Sequence, residues 1–334
     1  MPKVKIFLAL LTVFFAALAV LTTYNGFMTL YRAGQIPMQQ AQAAGIDVNP
    51  ETTFSVVVLP DTQIYAQYYP ETFCDQTEWI SANASRLNII FVTHVGDIIN
   101  RGAVSKKEWK TASDCMGVLD GKVPYSVVPG NHDVDVLGYP NATFNAFNTT
   151  FPVSRFEAYP WYRGNYNNNQ NSYQVVPAAD SELLFLSLEV DAPDDVLTWA
   201  DGVLKAHPDT QAIITTHSYI DDGTGQRNPN PVFRPTNSAE DIWNKLIRSN
   251  CNVLMVMSGH FHDNDGESKL ESLNDCGGTV YQVLQDYQAR ESGGNGRLRI
   301  YNFNTPTRTI DAQTYSPKLD QYEVDEDSQF TLFW

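Results

Sequence analysis

One pattern recurs along the chain: a short, β-branched apolar run that stops at a polar turn. Residues 54–59 end at Pro60-Asp61, residues 88–92 end near Gly96-Asp97, and residues 125–128 end at Pro129-Gly130-Asn131-His132-Asp133. Helix-like stretches at 76–86 and 105–119 lie between them. Short buried runs alternating with helices predict a largely parallel sheet covered by helices. Such sheets carry their sites at the carboxyl ends of strands. All three polar turns fall at such ends.

The pattern returns downstream. Residues 182–190 predict another strand, and 194–206 a helix with Asp194 and Asp195 in its first turn, where acidic groups suit the helix dipole. A strand over 211–216 stops at His217. A helix over 238–249 opens on Ser238, a suitable N-cap. A strand over 253–257 stops at Gly259-His260-Phe261-His262. Residues 279–284, 296–304 and 308–314 predict antiparallel strands closing a second sheet. Two sheets with helices outside them make an α/β, four-layer α-β-β-α sandwich. Residues 141–171 are rich in Asn, Tyr, Phe and Pro and predict a long ordered insertion near the site mouth, its aromatics packing on the body. Residues 54–315 are expected to be the catalytic body. Residues 316–334 are expected to be a tail, with a solvated acidic stretch at 320–327.

Lys3 and Lys5 precede an apolar run over 6–21, and no charge follows until Arg32. That uncharged stretch exceeds the roughly 20 residues that cross a bilayer. Residues 1–32 are expected to be a signal peptide cut near Ala17-Leu18-Ala19, or an uncleaved signal anchor with a cytoplasmic N-terminus. In both cases the body is extracytoplasmic, and in the second the chain meets the membrane through this segment. Residues 33–53 read as a linker. Sequons begin at Asn83, Asn141 and Asn148.

The formal charge is −16, from 22 Lys and Arg against 38 Asp and Glu. Phosphate backbones are bound mainly by Lys and Arg, so nucleic acid is not an expected partner. A small phosphate ester, free or as a headgroup, is not excluded, because bound metal ions can dominate the local field. There are four cysteines, none in a CxxC pair. Two disulfides suit an oxidising compartment, and sequence leaves all three pairings open, as well as four buried thiols.

The strand-end residues make a metal-binding inventory. Asp97 can bridge two cations and Asp61 offers a terminal carboxylate. Asn131 offers an amide oxygen, and His217, His260 and His262 offer imidazoles. Two cations about 4 Å apart can activate water and stabilise a phosphoryl group in line. His132, beside a ligand but not needed as one, is suited to protonate a leaving alkoxide. Only six histidines occur, and four fall in these fragments; of the others, His94 is expected in the core and His207 at a helix end.

The order Asp61-x-Gln63, Gly96-Asp97, Gly130-Asn131-His132-Asp133, His217 and Gly259-His260-x-His262 resembles the calcineurin-like metallophosphoesterase family. The resemblance spans about residues 54–304. It implies a phosphomonoester or phosphodiester hydrolase with two metal ions, Mn, Fe or Zn, and a metal-activated hydroxide. By that resemblance, Asp61, position 63, Asp97 and His262 hold the first ion, and Asp97, Asn131, His217 and His260 the second. His132 is then the catalytic histidine, assisted by Asp133. The family usually has histidine at position 63. Gln63 stands there instead, which weakens the first site or favours a harder ion than Zn²⁺. Together with the anchor, Gln63 also motivates the alternative of a weakly active or inactive subunit serving a membrane assembly. Gln285-Asp286-Tyr287-Gln288 and the glycines Gly293, Gly294 and Gly296 look like a site-edge loop, with no role assigned.

Overall fold

The three apolar runs of the first half become β1 (Thr53–Leu59), β2 (Ile89–His94) and β3 (Tyr125–Val127), paired in parallel in that order. The computed structural model describes residues 49–139 and 141–334. The N-terminal segment and linker expected up to residue 48 lie outside the described residues. Helices Pro70–Asn83 and Lys106–Gly117 connect the strands, the second capped by Ser105, whose side chain accepts from the Glu108 N–H.

Four further strands, β4 (Tyr162–Tyr166), β5 (Asn171–Ala178), β6 (Ser181–Leu188) and β7 (Gln211–Ser218), open a second sheet. A two-strand hairpin follows, β8 (Ile220–Asp221) with β9 (Gln226–Arg227). β10 (Val253–Gly259), β11 (Glu267–Leu273) and β12 (Thr279–Gln285) complete the second sheet, whose order is β11-β12-β10-β7-β6-β5-β4. Within it β6, β7, β10 and β12 run parallel.

The sequence led us to expect β13 (Leu298–Asn304) and β14 (Thr309–Ser316) in that sheet, but they do not join it. They pair antiparallel beside β1 in the first sheet. β13 alternates buried residues on both faces, so its pattern says that it is central but not which sheet holds it. β15 (Gln321–Tyr322) and β16 (Gln329–Phe333) also pair with β14. The expected tail is therefore part of the first sheet. Residues 141–171 are ordered, as expected: helix Asn145–Thr150, a 3₁₀ turn Val153–Arg155, and edge strand β4.

Period-two alternation sorts the side chains into layers. Val56 and Val58 meet Phe185, Met255 and Met257 between the sheets, while Val57 and Leu59 face helices through Tyr65, Phe73 and Met116. Phe91 stacks on Phe185 across the inter-sheet core with ring centroids 3.8 Å apart. Leu184, Leu186 and Ile214 face the outer helix Asp194–Ala206 through Val196, Leu197 and Leu204. The result is the four-layer α-β-β-α sandwich. The helix expected over 238–249 begins as Ala239–Ile242, with a reciprocal Ser238–Asp241 capping box, and continues as a π-helical turn, Trp243–Ile247. Cys74 is bonded to Cys115 and Cys251 to Cys276, which removes the four-thiol alternative. Among the described residues, no helix is long and apolar enough to cross a membrane.

Candidate metal centre

The site lies where parallel strands from both sheets end. Asp61 follows β1, Asp97 follows β2, Asn131 and His132 follow β3, His217 lies near the end of β7, and His260 follows β10. The loops are fastened to one another by main-chain groups. The Thr62 N–H donates to the Asp97 carbonyl at 3.2 Å. Buried His94 holds two of the turns: its Nδ1 accepts from the Gly96 N–H at 3.1 Å, and its Nε2 lies 2.9 Å from the Thr62 hydroxyl. Burial and then His217 lower its pKa to about 3, so it stays neutral.

Asp97 has a left-handed backbone, φ 48°. Its Oδ1 accepts from the His132 N–H at 2.7 Å. Gly130 packs against it so closely that a Cβ there would collide with the Asp97 carboxylate and amide nitrogen. That contact explains the glycine of Gly130-Asn131-His132-Asp133.

Three possible ligand atoms converge on His217 Nε2. Asn131 Oδ1 lies 3.1 Å away, His260 Nδ1 3.1 Å and Asp97 Oδ2 3.2 Å. The other ring nitrogen, Nδ1, donates to the Val95 carbonyl at 3.0 Å. This fixes the tautomer that leaves Nε2 as a ligand, the usual outer partner of a metal-bound histidine. Asp97 and His217 offset one another's charge. Burial would raise the Asp97 pKa, but the His217 imidazole draws it down to about 2. Burial acts against protonation of His217, yet Asp97 and the Val95 carbonyl raise its pKa to about 9. Burial and then His217 lower that of His260 to about 3.

Asp61, Gln63 and His262 gather on the other side, around a residue to which the sequence gave no role. Gln288 Nε2 donates to Asp61 Oδ2 at 3.1 Å and lies 3.1 Å from His262 Nδ1, and its Oε1 accepts from Gln63 Nε2. Gln63 is buried, and its Oε1 has no hydrogen-bond partner. His262 is exposed, and its Nδ1 donates to its neighbour's carbonyl, His260 O, at 2.7 Å.

His132 and Asp133 part company. His132 Nδ1 donates to the Asn100 carbonyl at 2.9 Å, which leaves Nε2 to exchange a proton. The Asp133 carboxylate instead accepts three backbone N–H bonds, from Gly130 at 2.9 Å and from Ile98 and Ile99 at 3.1 Å each. The expected assistance of His132 by Asp133 is therefore replaced by a carbonyl. Asp133 shapes the Asp97 turn, and burial followed by Asp97 pushes its pKa up to about 8.

The chemistry of the pocket calls for cations. Asp61, Asp97, Asp133 and Asp286 are each 1% exposed or less. Among the described residues, no Lys or Arg bonds to any of them. Burial, followed by the charges of Asp286 and Asp97, raises the Asp61 pKa well above the carboxylate range. Buried charges persist when paired or when they coordinate metals. Asp97, His217 and His260 already bring one ligand atom each within 4.8 Å of one another. The unpartnered Gln63 oxygen, the His217 tautomer and a set of buried carboxylates that no Lys or Arg neutralises together fit divalent cations.

Residues 54–264 match the family model described as calcineurin-like phosphoesterase. The chain belongs to that family. Family membership identifies the described domain as a calcineurin-like phosphoesterase domain. The chain is also 36% identical over 285 residues to the uncharacterized protein YvnB of Bacillus subtilis (strain 168), which takes in 81% of this chain and 21% of that protein. The chain thus spans about a fifth of that relative's length. A dimetal phosphatase from Danio rerio superposes with a TM-score of 0.50 at 14% identity, over 84% of this chain and 99% of that one. At that identity the likeness supports the calcineurin-like phosphoesterase fold.

Sequence reasoning put Asp286, Gln288 and the glycines after them at the edge of the site but gave them no role. Gln288 and Asp286 carry a signal that could have been used, because Asp286-x-Gln288 after β12 repeats the spacing of Asp61-x-Gln63 after β1. The glycines that follow have a packing reason: a Cβ on Gly294 would strike Tyr287, and one on Gly293 would crowd Ile64 and Tyr65.

Proposed function

We propose that the domain hydrolyses a phosphomonoester or phosphodiester at two metal ions, Mn, Fe or Zn. Asp61, Gln63, Asp97 and His262 would hold the first, and Asp97, Asn131, His217 and His260 the second. The observation that carries this reading is the convergence of Asp97, Asn131 and His260 on His217 Nε2. When bound, such ions polarise the phosphoryl group and supply an activated water. The chain's own residues do the rest. Val95 holds the His217 tautomer, Gly130 admits the Asp97 carboxylate, and the Asn100 carbonyl orients His132 so that Nε2 delivers a proton to the departing alkoxide. Asp133 acts by holding the Asp97 turn.

The two disulfides are consistent with an extracellular location. We infer an extracytoplasmic enzyme, attached to a membrane or secreted according to the fate of residues 1–32. Its substrate is a small-molecule or headgroup phosphoester, since a charge of −16 disfavours nucleic acid.

The test is hydrolysis of p-nitrophenyl phosphate and bis-p-nitrophenyl phosphate by protein loaded with Mn²⁺, Fe²⁺ or Zn²⁺. Turnover of at least one is expected. His132→Ala should lower kcat by about 10²–10⁴-fold with metal content unchanged. Wild-type activity in that variant overturns the role of His132, and a loaded protein inactive on the whole panel overturns the enzyme reading.

A further inference from the structure

The two sheets each send an Asp-x-Gln arm into the site. β1 runs into Asp61-Thr62-Gln63, and β12 runs into Asp286-Tyr287-Gln288. In both arms the glutamine N–H donates to Oδ1 of the aspartate two residues earlier, at 2.9 Å and 3.0 Å. This is the Asx turn that a short carboxylate makes with its own backbone. Because β1 and β12 belong to facing sheets, the arms meet head to head. Gln63 Nε2 donates to Gln288 Oε1, Gln288 Nε2 donates to Asp61 Oδ2 at 3.1 Å, and His262 Nδ1 lies 3.1 Å from the same nitrogen.

We propose that Gln288 is an additional ligand of the first cation and that Asp286 positions it, so that this site is built from two Asp-x-Gln arms rather than one. The proposal rests on the two-metal reading above. Gln288 touches three of the four residues assigned to the first ion, which no residue of a merely adjacent loop would do. Gln63 Oε1, on the carboxamide that meets Gln288, is buried and has no partner. Oxygen and nitrogen exchange places when a carboxamide turns by half a revolution, so each glutamine can offer its oxygen to a cation. Asp286 is fully buried, and its Oδ1 accepts from the Gln288 N–H at 3.0 Å, which fixes the backbone that carries the carboxamide whichever way it turns.

The arm is fixed in place. The Asp286 N–H donates to the Gly266 carbonyl at 2.7 Å, and a Cβ on Gly266 would overlap the Asp286 carbonyl. Tyr65, beside the first arm, accepts from the Gly296 N–H at 2.9 Å, which ties the glycine segment after the second arm to the first. The first site thereby offers carboxylate oxygens, two carboxamide oxygens and one imidazole. Such a set favours Mn²⁺ or Fe²⁺ over Zn²⁺ and gives a physical reason why glutamine can stand at position 63.

The full chain, stripped of metal, is titrated with Mn²⁺ by calorimetry and electron paramagnetic resonance, and bound metal is counted by mass spectrometry. Wild type is expected to bind two ions. Gln288→Leu should keep one ion at wild-type affinity and bind the other about tenfold more weakly or worse. Asp286→Asn should weaken the same ion, and Gln288→Glu, which keeps an oxygen donor, should still bind two. Two ions at wild-type affinity in Gln288→Leu overturn the proposal while leaving the two-metal reading intact. A single ion in Gln288→Glu also overturns it, because the oxygen donor is retained. A single ion in wild type overturns both.

Discussion

At the scale of single residues, Asp133 separates a proton-relay role from a scaffolding one. Its carboxylate collects three backbone N–H bonds from the turns that carry Asp97 and Gly130, and none from an imidazole. Asp133→Asn puts an amide NH₂ against those donors and leaves at least one N–H unsatisfied. We expect a loss of about 1–3 kcal/mol in the unfolding free energy of the metal-free protein, read by denaturant titration in chelator, together with weaker metal binding through a displaced Asp97. Reduced kcat with unchanged stability and metal content would instead restore Asp133 as a partner of His132. The difference between these roles could not be read from the sequence. That Asp133 would be buried beside a ligand follows from the strand-end pattern, but which atoms it meets depends on Ile98 and Ile99, more than thirty residues away. The ligand types were legible because each lies at or within a few residues of a strand's carboxyl end. Gln288 was harder to place, since an amide after a strand is common and only its contact with Asp61 and Gln63 gives it meaning.

Elements carried most of what the sequence could say about the fold. β1, β2, β3, β7, β10 and β12 are parallel and buried on both faces, and such strands read as continuous apolar runs. β5 and β11 were missed. After buried Glu267, β11 alternates half-buried and exposed residues, and Glu267, Lys269 and Glu271 interrupt any apolar run. β13 and β14 were seen but given to the wrong sheet, because pairing between β1 and β13 joins residues some 240 positions apart and leaves no local trace. The disulfides belong to this scale as well. Cys74 lies in helix Pro70–Asn83 and Cys115 in helix Lys106–Gly117, so the bond pins together the two helices that cover the first sheet across a sequence separation of 41. A loop of that length supports a stabilisation of about 3–4 kcal/mol on the chain-entropy account. Replacing both cysteines by serine should lower the unfolding free energy by about that amount and make stability insensitive to reductant at this bond. An unchanged denaturation midpoint would show that helix packing alone holds the layer.

Across the whole molecule, the two sheets are joined near the site by a buried ionic cluster that no local pattern announces. Glu267, on edge strand β11 of the second sheet, faces Arg299 on β13 of the first, and both are nearly inaccessible. Glu267 Oε1 also accepts from the hydroxyls of Tyr287 at 3.0 Å and Thr314 at 2.7 Å, and Oε2 from Arg290 and Ser328, each at 2.7 Å. Arg290 and Arg297 in turn bond Glu323, so the acidic stretch expected to be solvated is anchored. Tyr287 lies between Asp286 and Gln288, which makes this cluster the floor beneath the second Asp-x-Gln arm. Burial alone would raise the Glu267 pKa from its ordinary 4.5, but Arg299 and Arg290 draw it down to about 2. A carboxyl that is more acidic folded than unfolded stabilises the fold above its unfolded value and loses that contribution as pH falls towards its folded one. Glu267→Gln leaves Arg299 buried with a weaker partner and should cost about 3–5 kcal/mol at neutral pH. The gap between wild type and variant should then narrow as pH is lowered from about 5 towards 2, because protonation brings wild type to the state the variant already occupies. Denaturant titrations of the two proteins at several pH values across that window measure the gap directly. A gap that stays constant would mean that the shape of the side chain, and not its charge, is what holds the two sheets together.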